Sequence, residues 1–197
     1  MIRTVSLALA CAALSACVSV LPEPEPPEGL YRFGPMSRQF PVDATVAVRE
    51  PEASRLFGGR AIAAEDSAGA LRFVRGVEWA DSATRLMQVA MLDALGDEGD
   101  GVAVAFESGV RADYELVWRV EDFTLSGTVA RCRLEATLVD ARSRKVVAQT
   151  NIVSSTSANG STNSARALAL AEAGRACVGD AGAFVSDKAV MPDASAS

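Results

Sequence analysis

Tyr114-Glu115-Leu116-Val117-Trp118-Arg119-Val120-Glu121 and, after a short gap, Arg131-Cys132-Arg133-Leu134-Glu135-Ala136-Thr137-Leu138 are the stretches that decide the fold. In the first, Tyr114, Leu116, Trp118 and Val120 alternate with Glu115, Arg119 and Glu121. In the second, Cys132, Leu134, Ala136 and Leu138 alternate with Arg131, Arg133 and Glu135. A period of two places successive side chains on opposite faces, so these are strands of a sheet covered on one face and wetter on the other. Ser126-Gly127 between them suits a tight hairpin. Asp140 to Arg144 turns the chain into a third strand, predicted over Lys145 to Val153, and Ser154 to Ser164 reads as a polar loop.

Upstream, Thr45 to Arg49 reads as a strand ended by Pro51. Arg60–Ala63 and Leu71–Val74 read as short strands around the turn Asp66-Ser67-Ala68-Gly69. A helix is expected between Asp81 as N-cap and Gly96 as the residue past its end, with Ala83, Leu86, Met87, Ala90, Met91 and Ala94 on its buried face. A second helix carries Ala167, Leu170, Ala171, Gly174, Cys177, Val178, Ala181, Phe184 and Val185 on its apolar side. Its glycines predict a weak point near Gly179 to Gly182. Trp79 and Trp118 read as core residues ahead of interface anchors. These elements add up to an α+β fold, a two-layer sandwich with a mostly antiparallel sheet and two main helices on one face.

The chain starts with one cation, Arg3, and an apolar run from Val5 to Leu14. That run is shorter than the roughly 20 residues of a membrane-spanning helix and has the length of a signal-peptide core. Leu14-Ser15-Ala16-Cys17 closes it and resembles a bacterial lipobox. That resemblance implies cleavage before Cys17, lipidation of the Cys17 thiol and anchorage by acyl chains. Residues 1–16 are then signal peptide. Residues 17–29 are the lipidated Cys and a Pro/Glu-rich tether, whose last twelve residues span roughly 35–40 Å as polyproline II. Residues 30–186 form one α+β domain, and 187–197 are expected to be a disordered tail.

The chemistry is sparse. There is no histidine, which removes Ser-His and Cys-His nucleophiles and the common zinc sites. Asp97, Glu98 and Asp100 cluster in a Gly-rich loop without the spacing of a calcium site. Gly58-Gly59 lacks the residues of a phosphate loop. The sequence therefore predicts no catalytic residues, no metal and no cofactor. A net charge of −6 and the lack of a basic stretch argue against nucleic acid. Cys132 and Cys177, both on apolar faces, either pair as a disulfide or pack as buried free thiols. Leu56-Phe57, beside Gly58-Gly59, is a candidate contact for a partner or lipid, set against folding back onto the core.

Tyr31-Arg32-Phe33-Gly34-Pro35, Gly76-Val77-Glu78-Trp79-Ala80-Asp81 ahead of a helix, Ala112-Asp113-Tyr114 leading a long strand, and Leu138-Val139-Asp140 with Ser143-Arg144 at a turn form a familiar order. Over roughly residues 30–186 the chain resembles the ABC-type transport auxiliary lipoproteins, the PqiC-like family. The resemblance implies a non-enzymatic partner of an MCE-family protein and its ABC transporter in phospholipid transport. It implies a place at the outer membrane, facing the periplasm, where the domain docks the far end of the MCE conduit, and a homo-oligomeric ring. Val18 after the lipidated Cys17 favours the outer membrane, by analogy with bacterial sorting rules. The other reading is a periplasmic lipid-binding module that carries an acyl chain in an apolar cavity between the sheet and Leu56-Phe57.

Overall fold

The computed structural model describes residues 26–96 and 99–191. Its centre is the expected meander, three long antiparallel strands: β7 (Tyr114–Ser126), β8 (Val129–Asp140) and β9 (Val146–Ser157). Leu116 lies opposite Leu138, Trp118 opposite Ala136 and Val120 opposite Leu134, all on one face. The register then shifts between Val120 and Asp122, and Phe123 and Leu125 face Cys132 and Ala130. Glu121 is the extra residue of this bulge. It moves the buried positions from even to odd numbers, which is why the alternation readable from Tyr114 stops at Glu121.

The third strand corrects the sequence reading. Ser154 and Thr156 do not begin a loop; they pair with Cys132 and Ala130. Serine and threonine carry a weak strand signal, and the pairing offered by the far end of β8 overrides it.

Shorter strands fill the other edge of β7. These are β1 (Gly29–Tyr31), β2 (Val46–Val48), β3 (Glu52–Ala53), β4 (Ala61–Glu65), β5 (Leu71–Trp79) and β6 (Ala103–Ala105). β2, β3 and β4 lie parallel to β7 at successive heights, at Tyr114–Leu116, Arg119–Val120 and Thr124–Ser126. β6 extends β2, and the antiparallel β4–β5 hairpin is extended by β1. The result is a nine-stranded, curled, half-barrel sheet. β5 outruns its predicted end at Val74. Gly76, at φ +76°, lets the strand kink and continue, so that Val77 and Trp79 both enter the core.

Both main helices cover one face. The helix α2 (Ala83–Ala94) is capped by Ser82, whose Oγ accepts from the Arg85 N–H at 3.2 Å. Asp81 instead accepts from the Ser82 N–H at 2.7 Å. The expected N-cap is thus one residue early, because the capping oxygen must stand three residues before the amide it receives. Gly96 follows the C-cap Leu95, as the sequence predicts.

The helix α3 (Asn163–Lys188) runs without a break through Gly179 and Gly182. Close packing offsets the propensity cost of its glycines, about 1 kcal/mol each relative to alanine. A Cβ on Gly174 would stand 2.9 Å from the Phe33 ring, and one on Gly182 would stand 3.0 Å from the Phe40 ring. The helix also passes the predicted domain end at 186. Asp187 and Lys188 are helical and Ala189 is buried, which shortens the expected tail. Residues 192–197 lie outside the described residues.

Between helices and sheet, Phe33, Trp79 and Phe123 form an aromatic centre. Phe33 meets Trp79 edge-on at 5.4 Å, and Trp79 stacks on Phe123 at 5.5 Å. Trp118 is also interior, its indole N–H donating to the Arg49 carbonyl at 2.7 Å. A short helix, α1 (Arg55–Gly58), closes the end of the core beside α2.

Candidate functional site

The face of the sheet without main helices is held by ion pairs. Arg131 bridges Glu65 of β4 at 2.5 Å and Asp122 of β7 at 3.3 Å, and Arg119 pairs with Glu135 across β7 and β8 at 2.8 Å. These tie strands together at the surface, Arg131–Glu65 reaching across β7 from β8 to β4, and each contributes little, about 0.2–1 kcal/mol.

One carboxylate on this face differs. Glu115, near the start of β7, is buried. Arg49, just past β2, donates to its Oε2 from Nε at 3.2 Å and from a terminal nitrogen at 2.9 Å. Arg144, in the β8–β9 turn, donates to Oε1 at 2.6 Å. The Arg49 guanidinium lies 3.6 Å from the centroid of the Phe106 ring, in the 3-10 turn Phe106–Ser108. Arg144 is the non-glycine residue of positive φ among the described residues, at 59°. A left-handed residue with a Cβ stores about 1–3 kcal/mol of strain and persists only where its surroundings hold it. Here the turn hydrogen bond from the Arg144 N–H to the Asp140 carbonyl, at 2.9 Å, and the pair with Glu115 hold it.

The clamp borders a hollow of about 910 Å³ between the 3-10 turn, residues 109–113 and the β8–β9 turn. Ala47 and Glu115 line its floor; Phe106, Val110, Arg111, Arg142 and Lys145 are among its walls. Its other carboxylates are engaged. Asp113 accepts from the Thr45 N–H at 3.0 Å, and Asp140 accepts from the Ser143 N–H at 2.6 Å. The Ser143 contacts, with the nearby Arg142 charge, hold the Asp140 carboxyl below its ordinary value. Behind the clamp, buried Gln88 of α2 donates to the Val48 carbonyl at 2.9 Å and to Glu107 at 3.0 Å. Glu107's own backbone N–H and then Gln88 hold its carboxyl below the ordinary carboxylate range.

The residues singled out in the sequence fall elsewhere. Cys17 and Val18 lie outside the described residues, as do Asp97 and Glu98 of the acidic loop. Cys132 of β8 and Cys177 of α3 are buried, free and adjacent, the Cys177 Sγ standing 3.2 Å from the Cys132 carbonyl. Burial first, and the Cys177 thiol second, push the Cys132 thiol well up. Leu56 and Phe57 form part of α1 and are half-buried, with Phe57 packed on the core. A Cβ on neighbouring Gly58 would stand 3.1 Å from that of Ala53.

Sequence reading passed over Glu115 and its arginines, because one carboxylate in an alternating strand looks like a solvated position. The available signal was Arg142-Ser143-Arg144-Lys145, a basic turn in an acidic chain. No group of residues suited to a metal ion occurs among the described residues, and no described helix is long and apolar enough to cross a membrane.

A family model described as the ABC-type transport auxiliary lipoprotein component matches residues 34–179. The fold is similar to a crystal structure of a Xanthomonas campestris protein of family DUF330, at 22% identity and a TM-score of 0.70, covering 81% of this chain and 96% of that one. It is also similar to a crystal structure of an uncharacterized protein, at 12% identity and a TM-score of 0.65, covering 82% of this chain and 98% of that one. Among curated proteins none matches the chain.

Proposed function

We propose, from the premise that the chain belongs to the ABC-type transport auxiliary lipoprotein family, that it is a non-catalytic lipoprotein of the outer membrane. It faces the periplasm and docks the far end of an MCE-type phospholipid conduit served by an ABC transporter. The observation that carries this reading is the family match over most of the folded domain, behind the lipobox Leu14-Ser15-Ala16-Cys17. Acyl chains on Cys17 supply the anchor, since two or more chains hold a protein stably at about 0.8 kcal/mol per buried methylene. Val18 directs it outward, and the Pro/Glu arm lets the domain reach away from the bilayer. A ring of copies would suit a tubular partner.

The chemistry of the domain supports a passive role. The chain has no histidine, and burial holds the Cys132 thiol well above the ordinary thiol range, in its protonated form, the wrong direction for a nucleophile.

Crosslinking in intact envelopes followed by detergent extraction tests the reading. An MCE-family protein should be recovered with the wild-type chain; its absence under efficient crosslinking overturns the proposed partner. Cys17→Ser should abolish labelling by radioactive palmitate and release the protein from the envelope. Unchanged labelling would place the anchor elsewhere.

A further inference from the structure

The hollow beside Glu115 has an unusual charge for this molecule. The chain carries a net charge of −6. Yet the hollow's lining balances Arg111, Arg142 and Lys145 against Asp113, Glu115 and Asp140, and of the flanking charges Arg49 and Arg144 exceed Glu107 by one. Arg49 and Arg144 are spent on Glu115. Arg111, Arg142 and Lys145 are exposed and form no ion pair among the described residues, although Arg142 stands within electrostatic reach of Asp140. The cations therefore have charge to offer an outside anion.

The rest of the lining is apolar. Phe106, Val110, Ala112 and Ala141 lie beside the cations, with Phe106 and Val110 exposed at 38% and 52%. A cavity of about 910 Å³ is in the range of small-molecule sites, roughly 300–1,000 Å³. The rim is fixed in advance. Arg144 is held in its left-handed conformation between the Asp140 carbonyl and Glu115, and this sets the turn that presents Arg142 and Lys145. Such preorganisation lowers the ordering cost of binding.

We infer that this hollow binds the phosphate of a glycerophospholipid headgroup, with Arg111, Arg142 and Lys145 facing the phosphate and Phe106 and Val110 facing the glycerol and first acyl carbons. An extended acidic peptide fits less well. It would have to continue along the strands, where Arg119 and Arg131 are already neutralised by Glu135, Glu65 and Asp122. The inference deepens the proposed role in phospholipid transport. Its test uses purified components without an MCE protein, so either idea fails separately.

Soluble dihexanoyl phosphatidylglycerol is titrated by calorimetry into the purified mature protein in non-ionic detergent, with glycerol 3-phosphate and uncharged dihexanoylglycerol as parallel ligands. The charged lipid should bind more tightly than either. Arg111→Ala with Arg142→Ala and Lys145→Ala should weaken it by about tenfold or more. The control Arg32→Ala with Arg55→Ala and Arg75→Ala removes the same charge from exposed sites elsewhere and should weaken it by less than about twofold. If the first triple variant does not fold, Arg111→Glu alone carries the same expectation. Equal loss in both triples, equal binding of the uncharged lipid, or binding of glycerol 3-phosphate as tight as that of the lipid overturns the proposal.

Discussion

The two faces of the sheet are built on opposite principles. Under α2 and α3, contact is largely apolar and so close that a methyl on Gly174 or Gly182 would press on the rings of Phe33 or Phe40. On the other face, strands are tied by arginine–carboxylate pairs that water reaches, and one carboxylate, Glu115, is enclosed. The first face makes the molecule fold. The second leaves charged groups in fixed places where a ligand or partner can meet them. The comparison teaches that one sheet can concentrate its stability on the helix-covered side and carry its charge on the other.

The largest effect that could break this contrast is at the aromatic centre. Phe123→Ala empties a site between Phe33 and Trp79 and should cost about 3–5 kcal/mol in chemical denaturation. A loss no larger than that of a surface mutation would refute the assignment of stability to the helix-covered face. The thiols sharpen it next. Cys132 and Cys177 should resist alkylation in the folded protein and react after unfolding. Failure to react after unfolding unless a reductant is added would instead reveal a disulfide, whose removal should cost about 4 kcal/mol for this loop length.

Glu115→Gln should cost about 1–2 kcal/mol, between the buried and surface cases, since Arg49 and Arg144 keep part of their hydration. Arg119→Ala should cost no more than about 1 kcal/mol, and less in high salt. A Glu115 effect no greater than that of Arg119 would make the clamp an ordinary surface pair.

Acid should act most weakly through the exposed turns. The backbone N–H groups of Ala70 and Ala68 hold Asp66 below its ordinary 3.8, as Ser143 holds Asp140. A carboxylate lowered on folding stabilises above its unfolded value and loses that stabilisation as pH falls through its folded one. The unfolding midpoint of Asp140→Asn should therefore match wild type better below 3.8 than at neutral pH. A gap that widens with acid would show that Asp140 is not engaged in this way.

Much of the covered face was legible. Leu116, Trp118, Leu134 and Leu138 announce their side by period two, and Met87, Ala90, Met91 and Ala94 by helical spacing. The bulge at Glu121 was not, because one inserted residue reverses the alternation with no composition signal. Nor was the strand character of Ser154 to Ser157, which depends on what lies beside it. At the candidate site, Arg142, Arg144 and Lys145 stood out only as a basic turn; nothing local ties them to Glu115, 29 residues from Arg144.

The amino-acid order alone determined most of the long strands and the two helices, since each is set by neighbours within a few residues. Only the tertiary structure decided that β2, β3 and β4 line up in parallel along β7, that Gly174 and Gly182 are points of contact, and that Arg49 and Arg144 close on one carboxylate. Parallel pairing is made by backbone groups common to every residue, and close approach depends on distant partners, so neither leaves a periodic trace in the sequence.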